Sequence, residues 1–225
     1  LIIQMFPFSF KEYLNLKKFE LNNQSIYITK SRAVIKKNFS EYLSNGGFPE
    51  YLKELNTEYL KTLYENIIYR DILVRYKIPN EKSFKELTSL AINSISKEIS
   101  FNSIKKTIGL GSSTTIKAYF DYLENSYLIF LVPKFDYSLK RQIYYNKKVY
   151  CIDNSFVKYT GFRISPDFGK LLENFVFIEL KRRGKEIYYF SEKNECDFVI
   201  KDGVKVTDAI QVCYNLNDEN KLLHK

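Results

Sequence analysis

Ser100-Phe101-Asn102-Ser103-Ile104-Lys105-Lys106-Thr107-Ile108-Gly109-Leu110-Gly111-Ser112-Ser113-Thr114-Thr115-Ile116-Lys117 is the stretch whose reading decides the fold. Ser100 stands just before a short helical segment, and a serine there caps a helix by accepting a backbone N–H. The pattern predicts a helix over 101–107. Gly109-Leu110-Gly111-Ser112 then reads as a turn. A longer helix is expected to begin after Ser112 or Ser113 and to run through the apolar residues Ile116, Tyr119, Phe120 and Leu123.

Working outward, a helix is predicted over 82–94 and strands over 128–132 and 147–152, the last two alternating enough to pair. Helix, short helix, glycine turn, longer helix and two-stranded ribbon describe a winged helix-turn-helix. In that fold the helix after the turn enters the major groove. Its start would offer Ser112, Ser113, Thr114, Thr115 and Lys117 to DNA. The ribbon would be the wing, where Lys134, Lys140, Arg141, Lys147 and Lys148 oppose only Asp136. Contacts to phosphate need such a basic surface. Two other readings stand beside this one: a helical packing unit with a solvated basic loop, and a protein-docking module.

Toward the C-terminus the rhythm changes. A helix is predicted over 168–183, closed by Gly184, a residue type suited to a helix C′ position. Strands follow over 187–190, 196–200 and 208–214, with Asp202-Gly203 as a hairpin turn and a last helix from Asn217. Against these apolar strands three polar residues stand out: Glu173 on the helix, Asp197 at a strand end, and Gln211 inside Ala209-Ile210-Gln211-Val212. Hard Mg²⁺ takes oxygen ligands, and an Asp at one strand end with a carboxylate or amide one hairpin later supplies them. Asp197 and Gln211 would be the metal ligands, with Glu173 completing a catalytic set. A Lys two residues beyond the amide would face the same side and hold the attacking water. Cys213 stands there instead, and a neutral thiol does not replace an ammonium. Lys205 or Lys201 would have to reach in to take its place. The plainer reading makes Asp197 a polar strand end and Gln211 a satisfied buried amide.

The N-terminal block, 1–78, reads as helical. Ser9-Phe10-Lys11-Glu12 has the form of a capping box. Asn45-Gly46-Gly47-Phe48-Pro49 breaks the chain, and Leu60, Leu63, Tyr64, Ile67, Ile68, Ile72 and Leu73 predict a helix over 58–75.

Composition bounds the rest. With 225 residues, 45% hydrophobic and 27% charged, the chain belongs with globular proteins, not with disordered or fibrous ones. Lys+Arg exceed Asp+Glu by 35 to 26, a net charge of +9, which suits an acidic partner, nucleic acid before anionic membrane. The three cysteines, Cys151, Cys196 and Cys213, form no C-x-x-C pair, so a zinc ribbon or disulfide framework is not expected, and reduced thiols fit a cytoplasmic protein. The lone histidine, His224, leaves no base for a Ser-His-Asp mechanism. The longest apolar run, 127–132, is about six residues, against roughly 20 for a membrane span. Leu1 at the start, and Asn220-Lys221-Leu222-Leu223-His224-Lys225 without a closing signal, give the expectation of a piece cut from a longer protein, with an unpaired strand edge that could self-associate.

Several short motifs occur in a fixed order. They are Phe6-Pro7-Phe8-Ser9-Phe10, Asn45-Gly46-Gly47-Phe48-Pro49-Glu50, Tyr69-Arg70-Asp71-Ile72 and Tyr119-Phe120-Asp121-Tyr122-Leu123-Glu124. Leu172-Glu173-Asn174-Phe175-Val176 and Glu195-Cys196-Asp197-Phe198-Val199-Ile200 leading to Ile210-Gln211-Val212 complete the series. In this order they resemble the C-terminal part of an AAA-type P-loop ATPase family common in archaea and also found in bacteria. The resemblance implies a helical lid remnant over 1–78, a winged helix over 79–160 and an incomplete PD-(D/E)xK nuclease-like domain over 161–225. It places ATP in an N-terminal domain outside this chain, and no G-x-x-x-x-G-K-[ST] occurs here. It maps Glu173, Asp197 and Gln211 to the nuclease-like positions, with Cys213 at the usual Lys. The expected fold is therefore mixed α and β, ending in a truncated restriction-endonuclease-like α/β domain. The expected function is DNA binding with a degenerate nuclease site. The alternatives are an active Mg²⁺-dependent nuclease and a protein-interaction module.

Overall fold

Ser9 Oγ accepts the N–H of Glu12 at 3.3 Å, and the Glu12 carboxylate accepts the N–H of Ser9 at 2.7 Å. The capping box thus starts α1, Phe10–Leu16. The computed structural model describes residues 4–22, 25, 27–161 and 167–215. The helix expected from Asn217 and His224 lie outside the described residues.

Helix α2, Thr29–Asn45, ends at the glycine break, where Gly46 takes φ 75° and ψ −160°, a conformation open essentially to glycine alone. Pro49 then opens α3, Pro49–Glu54, from the first-turn position that tolerates its missing N–H. Asn56 caps α4, Thr57–Asn66. The helix expected over 58–75 does not stay α-helical. From Ile67–Val74 it widens into a π-helix. Ile68, Ile72 and Leu73 of this segment are buried in the core.

The middle of the chain follows the expected order closely. Helix α5, Glu81–Asn93, is capped by Asn80 and leads to β1, Glu98–Ile99. Helix α6, Phe101–Ile108, is capped by Ser100 and stops at Gly109. Helix α7, Ser113–Asn125, is capped by Ser112. Strands β2, Ile129–Pro133, and β3, Lys147–Cys151, pair antiparallel, and β1 adds on the other side of β3, giving the order β1-β3-β2. The connection between β2 and β3, where a simple wing is expected, holds a helix, α8, Leu139–Tyr144, none of whose residues is buried. Helix α9, Asn154–Thr160, follows β3 directly and is capped by Asp153.

Helix α10, Phe168–Arg182, precedes three antiparallel strands in sequence order: β4, Glu186–Ser191; β5, Glu195–Asp202; β6, Lys205–Ile210. The last strand begins directly after the Gly203-Val204 turn and ends before Gln211, earlier than the 208–214 expected. Lys205, Thr207 and Asp208 hide its start, because β6 is the edge of this sheet among the described residues and its exposed positions need no apolar alternation.

Among the described residues, three apolar clusters hold these elements. The largest gathers the π-helix, α5, α6, α7, β2, β3 and α9 around Phe84, Leu87, Phe120, Leu123 and Val149. The second lies between the two sheets and α10, with Phe130, Tyr150, Phe177, Phe198 and Ile200. The third joins Tyr13, Tyr42 and Leu52 to Phe175. Burying each large side chain contributes about 1.5–3 kcal/mol. Beyond β2, the Phe135 N–H donates to the Tyr189 carbonyl at 2.7 Å, which ties the first sheet to β4. Tyr150 of β3 meets Phe177 of α10 and Phe198 of β5, which sets one face of β3 against both.

The architecture is therefore mixed α and β, helix-rich, with two small antiparallel sheets among the described residues. No helix among the described residues is long and apolar enough to cross a membrane.

Candidate functional site

Two places concentrate the polar residues that the sequence singled out. The first is a cleft between the start of α7 and α8. The second is a buried cluster where β3 meets α10 and β5.

The cleft has a volume of about 690 Å³ and is lined by Ser113, Lys117, Lys140, Arg141, Tyr144 and Asn146 among others. Ser112 is exposed, and its hydroxyl is spent on the Thr114 N–H at 3.1 Å. Ser113 is half-buried and donates to Asn102 Oδ1 at 2.8 Å. Thr114 and Lys117 are exposed, and Thr115 is half-buried. On the opposite wall Lys140 is exposed, and Arg141 Nε lies 3.3 Å from Asp136 Oδ1. Lys134 Nζ sits 4.8 Å from the Tyr145 ring centre. Lys147 turns its ammonium to the Gln142 carbonyl. Burial lowers its pKa, helped by the Lys117 charge and opposed by Glu124. Of the residues expected to meet DNA, Lys117, Lys140 and Arg141 thus bring charge to the cleft. Sequence reasoning missed Asn102, Tyr144, Tyr145 and Asn146 on its walls, and the exposed Leu139 and Ile143 of α8. Leu139 and Ile143 are four apart, a helical spacing that signals α8 once it is sought.

Lys148, grouped with the wing by its sequence neighbours, points the other way. Its Nζ lies 3.1 Å from Glu173 Oε1 and 3.1 Å from Asp197 Oδ1. Lys148 and Tyr150 alternate with Val149 and so share a face of β3. The Tyr150 hydroxyl donates to Glu173 Oε1 at 2.7 Å, and its ring stacks on Phe177 at 4.3 Å. Asp197 Oδ2 accepts the backbone N–H of Val212 at 2.9 Å. Burial pulls the Lys148 ammonium down, but Glu173 and Asp197 more than offset it, and its pKa stands above the usual lysine value. Glu173 is held above the usual carboxylate range by burial and by the Asp197 charge, with Lys148 and Tyr150 acting against both. Burial and the Glu173 charge push the Tyr150 hydroxyl well up, so it stays a donor.

Glu173 and Asp197 therefore come together as the sequence suggested, but Gln211 does not join as a strand residue. It is exposed and lies one residue past β6, and the backbone of Val212 reaches Asp197 in its place. Cys213 Sγ donates to the Asn215 carbonyl at 2.9 Å. Lys201 pairs with Glu186 at 3.7 Å, and Lys205 is exposed on the edge strand. Only the wing assignment of Lys148 in sequence hid the third member of the cluster.

Residues 36–165 match the family model described as "Domain of unknown function (DUF8612)", and the chain belongs to that family. The matched span holds the cleft and Lys148 but stops before Glu173 and Asp197. Among curated proteins, "Uncharacterized protein MJ1544" of Methanocaldococcus jannaschii is 36% identical over 231 residues, covering 97% of this chain and 51% of the relative. An uncharacterized protein of Haemophilus influenzae is 27% identical over 233 residues, covering 99% of this chain and 56% of the relative. The chain thus spans about half the length of the curated relatives it matches. No solved structure matches it.

Proposed function

We propose that this chain binds duplex DNA through the cleft between α7 and α8, as a winged helix does, and that α10 with β4–β6 is a nuclease-like unit that does not cut. The observation that carries the reading is the cleft itself. One wall is the start of a helix that follows a short helix and a glycine turn. The other is the connection of an antiparallel ribbon, and Lys117, Lys140 and Arg141 line both. The order α5, β1, α6, α7, β2, β3 and the sheet order β1-β3-β2 support it. An α-helix fits the major groove, which is about 12 Å wide, and lysine and arginine on the rim meet the flanking phosphates.

The same reading takes the resemblance to AAA-type ATPases as a proposal for the longer relatives, with ATP bound by a domain outside this chain. The test of the DNA reading is anisotropy of a labelled duplex against protein concentration, repeated over a salt series. The predicted result is affinity that falls steeply with salt and is weakened by Lys117→Glu with Lys140→Glu.

A second reading is favoured by α8. Leu139, Ile143 and Tyr144 are between 68% and 87% exposed on one short helix. Such a face suits a protein partner. It predicts no salt-dependent affinity for DNA.

A further inference from the structure

The resemblance to PD-(D/E)xK nucleases implies a magnesium ion at Asp197 and Gln211, beside Glu173. The residues as they stand do not fit one. Magnesium demands near-octahedral oxygen donors at about 2.0–2.1 Å and keeps several waters. Here the point shared by the two carboxylates is taken by Lys148 Nζ, 3.1 Å from each. Asp197 Oδ2 is committed to the Val212 N–H, and Glu173 Oε1 also receives the Tyr150 hydroxyl. Gln211, the expected second ligand, is exposed beyond the strand end.

We propose that Lys148 is a built-in cation: its ammonium replaces the divalent metal between Glu173 and Asp197, and it fastens β3 to α10 and β5. A lysine ammonium has three N–H donors and no acceptor. Two are used on the carboxylates, and the ammonium lies 5.7 Å from the centre of the Tyr189 ring, within reach of a cation–π contact. One positive charge between two negative ones leaves a single net negative charge. A dication added beside the ammonium would instead bring like charges into contact. The lysine comes from the strand that leads out of α8, whereas both carboxylates come from the unit behind it. The internal cation therefore joins the cleft-bearing ribbon to the nuclease-like unit. None of this depends on DNA binding.

The test uses Mn²⁺ as the probe and counts bound ions from the loss of the free Mn²⁺ signal in electron paramagnetic resonance. For the unaltered chain, the titration is expected to superimpose on that of Asp197→Asn. In Lys148→Met, which keeps the length of the side chain and removes the charge, one additional Mn²⁺ per chain is expected. Adding Asp197→Asn to that variant should abolish it. Circular dichroism melting establishes that each variant is folded. The proposal is overturned if the unaltered chain binds an Mn²⁺ that Asp197→Asn or Glu173→Gln removes. A folded Lys148→Met that takes up no more Mn²⁺ than the unaltered chain overturns it equally. Should Lys148→Met not fold, the comparison of the unaltered chain with Asp197→Asn decides alone.

Discussion

The backbone N–H of Gly47 donates to Oδ2 of Asp153 at 2.7 Å, closing the glycine loop after α2 onto the residue that caps α9. Asp153 Oδ1 accepts the Ser155 N–H at 2.8 Å, so both carboxylate oxygens are used. The next residue extends the knot, since Asn154 Nδ2 reaches the carbonyls of Leu43 and Leu171. Asn174 on α10 in turn bonds both the N–H and the carbonyl of Cys151. A single buried polar network thus ties the N-terminal helices, β3 and α10 together. Such groups cost stability unless every partner is made.

Gly46→Ala is expected to break that network. A Cβ there would stand 1.7 Å from Asp153 Oδ1, and φ +75° is strained for any L side chain. Gly47→Ala would meet the Phe8 carbonyl at 2.4 Å. Each should lose about 2–4 kcal/mol. The urea midpoint reads the loss. A change under about 0.5 kcal/mol in either, the ordinary size for a surface substitution, would show the loop to be adaptable.

Asp153 also predicts a pH dependence. Burial raises its pKa from 3.8 to about 6, against the pull of its bonds from Ser155 and Gly47. The folded state therefore holds the proton more tightly than the unfolded one. Stability from this group is greatest below about pH 4 and is lost as pH rises through about 6, by at most ~3 kcal/mol. Chemical denaturation at pH 3.5 and 7 compares the two ends. Asp153→Asn should flatten the slope while lowering stability at both.

Much of this fold can be read in advance because its local signals are chemical. The Ser9 box, the Ser100 cap and the Gly184 stop all act within one turn of chain and are found in place, and of Ser112 and Ser113, both open as the start of α7, Ser112 is the cap. The π-helix is not legible, because Ile67, Ile68, Ile72 and Leu73 recur at spacings that fit an ordinary helix equally well. Helix α8 is hidden because it buries nothing, and β6 because an edge strand has no apolar face to announce it. The same limit governs the site. Glu173 and Asp197 stand out as polar residues among apolar neighbours, whereas Lys148 sits in a basic run and its direction depends on how β3 packs.

Lys148→Ala should be costly for that reason. The side chains of Lys148, Glu173 and Asp197 are only 15%, 13% and 11% exposed. Removing the ammonium strands two buried carboxylates, which typically costs about 3–5 kcal/mol. Glu173→Gln with Asp197→Asn in the Lys148→Ala background should recover part of it, because the repulsion is gone. Thermal unfolding of the set measures both steps. A Lys148→Ala chain as stable as the original would contradict the buried ion-pair account.

The most direct test of the DNA-binding reading is the salt dependence of duplex affinity. The reading predicts that log K falls linearly with log salt, with a slope of about −0.9 per phosphate contacted. It also predicts that Lys117→Glu and Arg141→Glu each reduce the slope by about one. Affinity absent at low salt, or unchanged by both substitutions, would contradict the DNA reading and leave the exposed face of α8 to a protein partner.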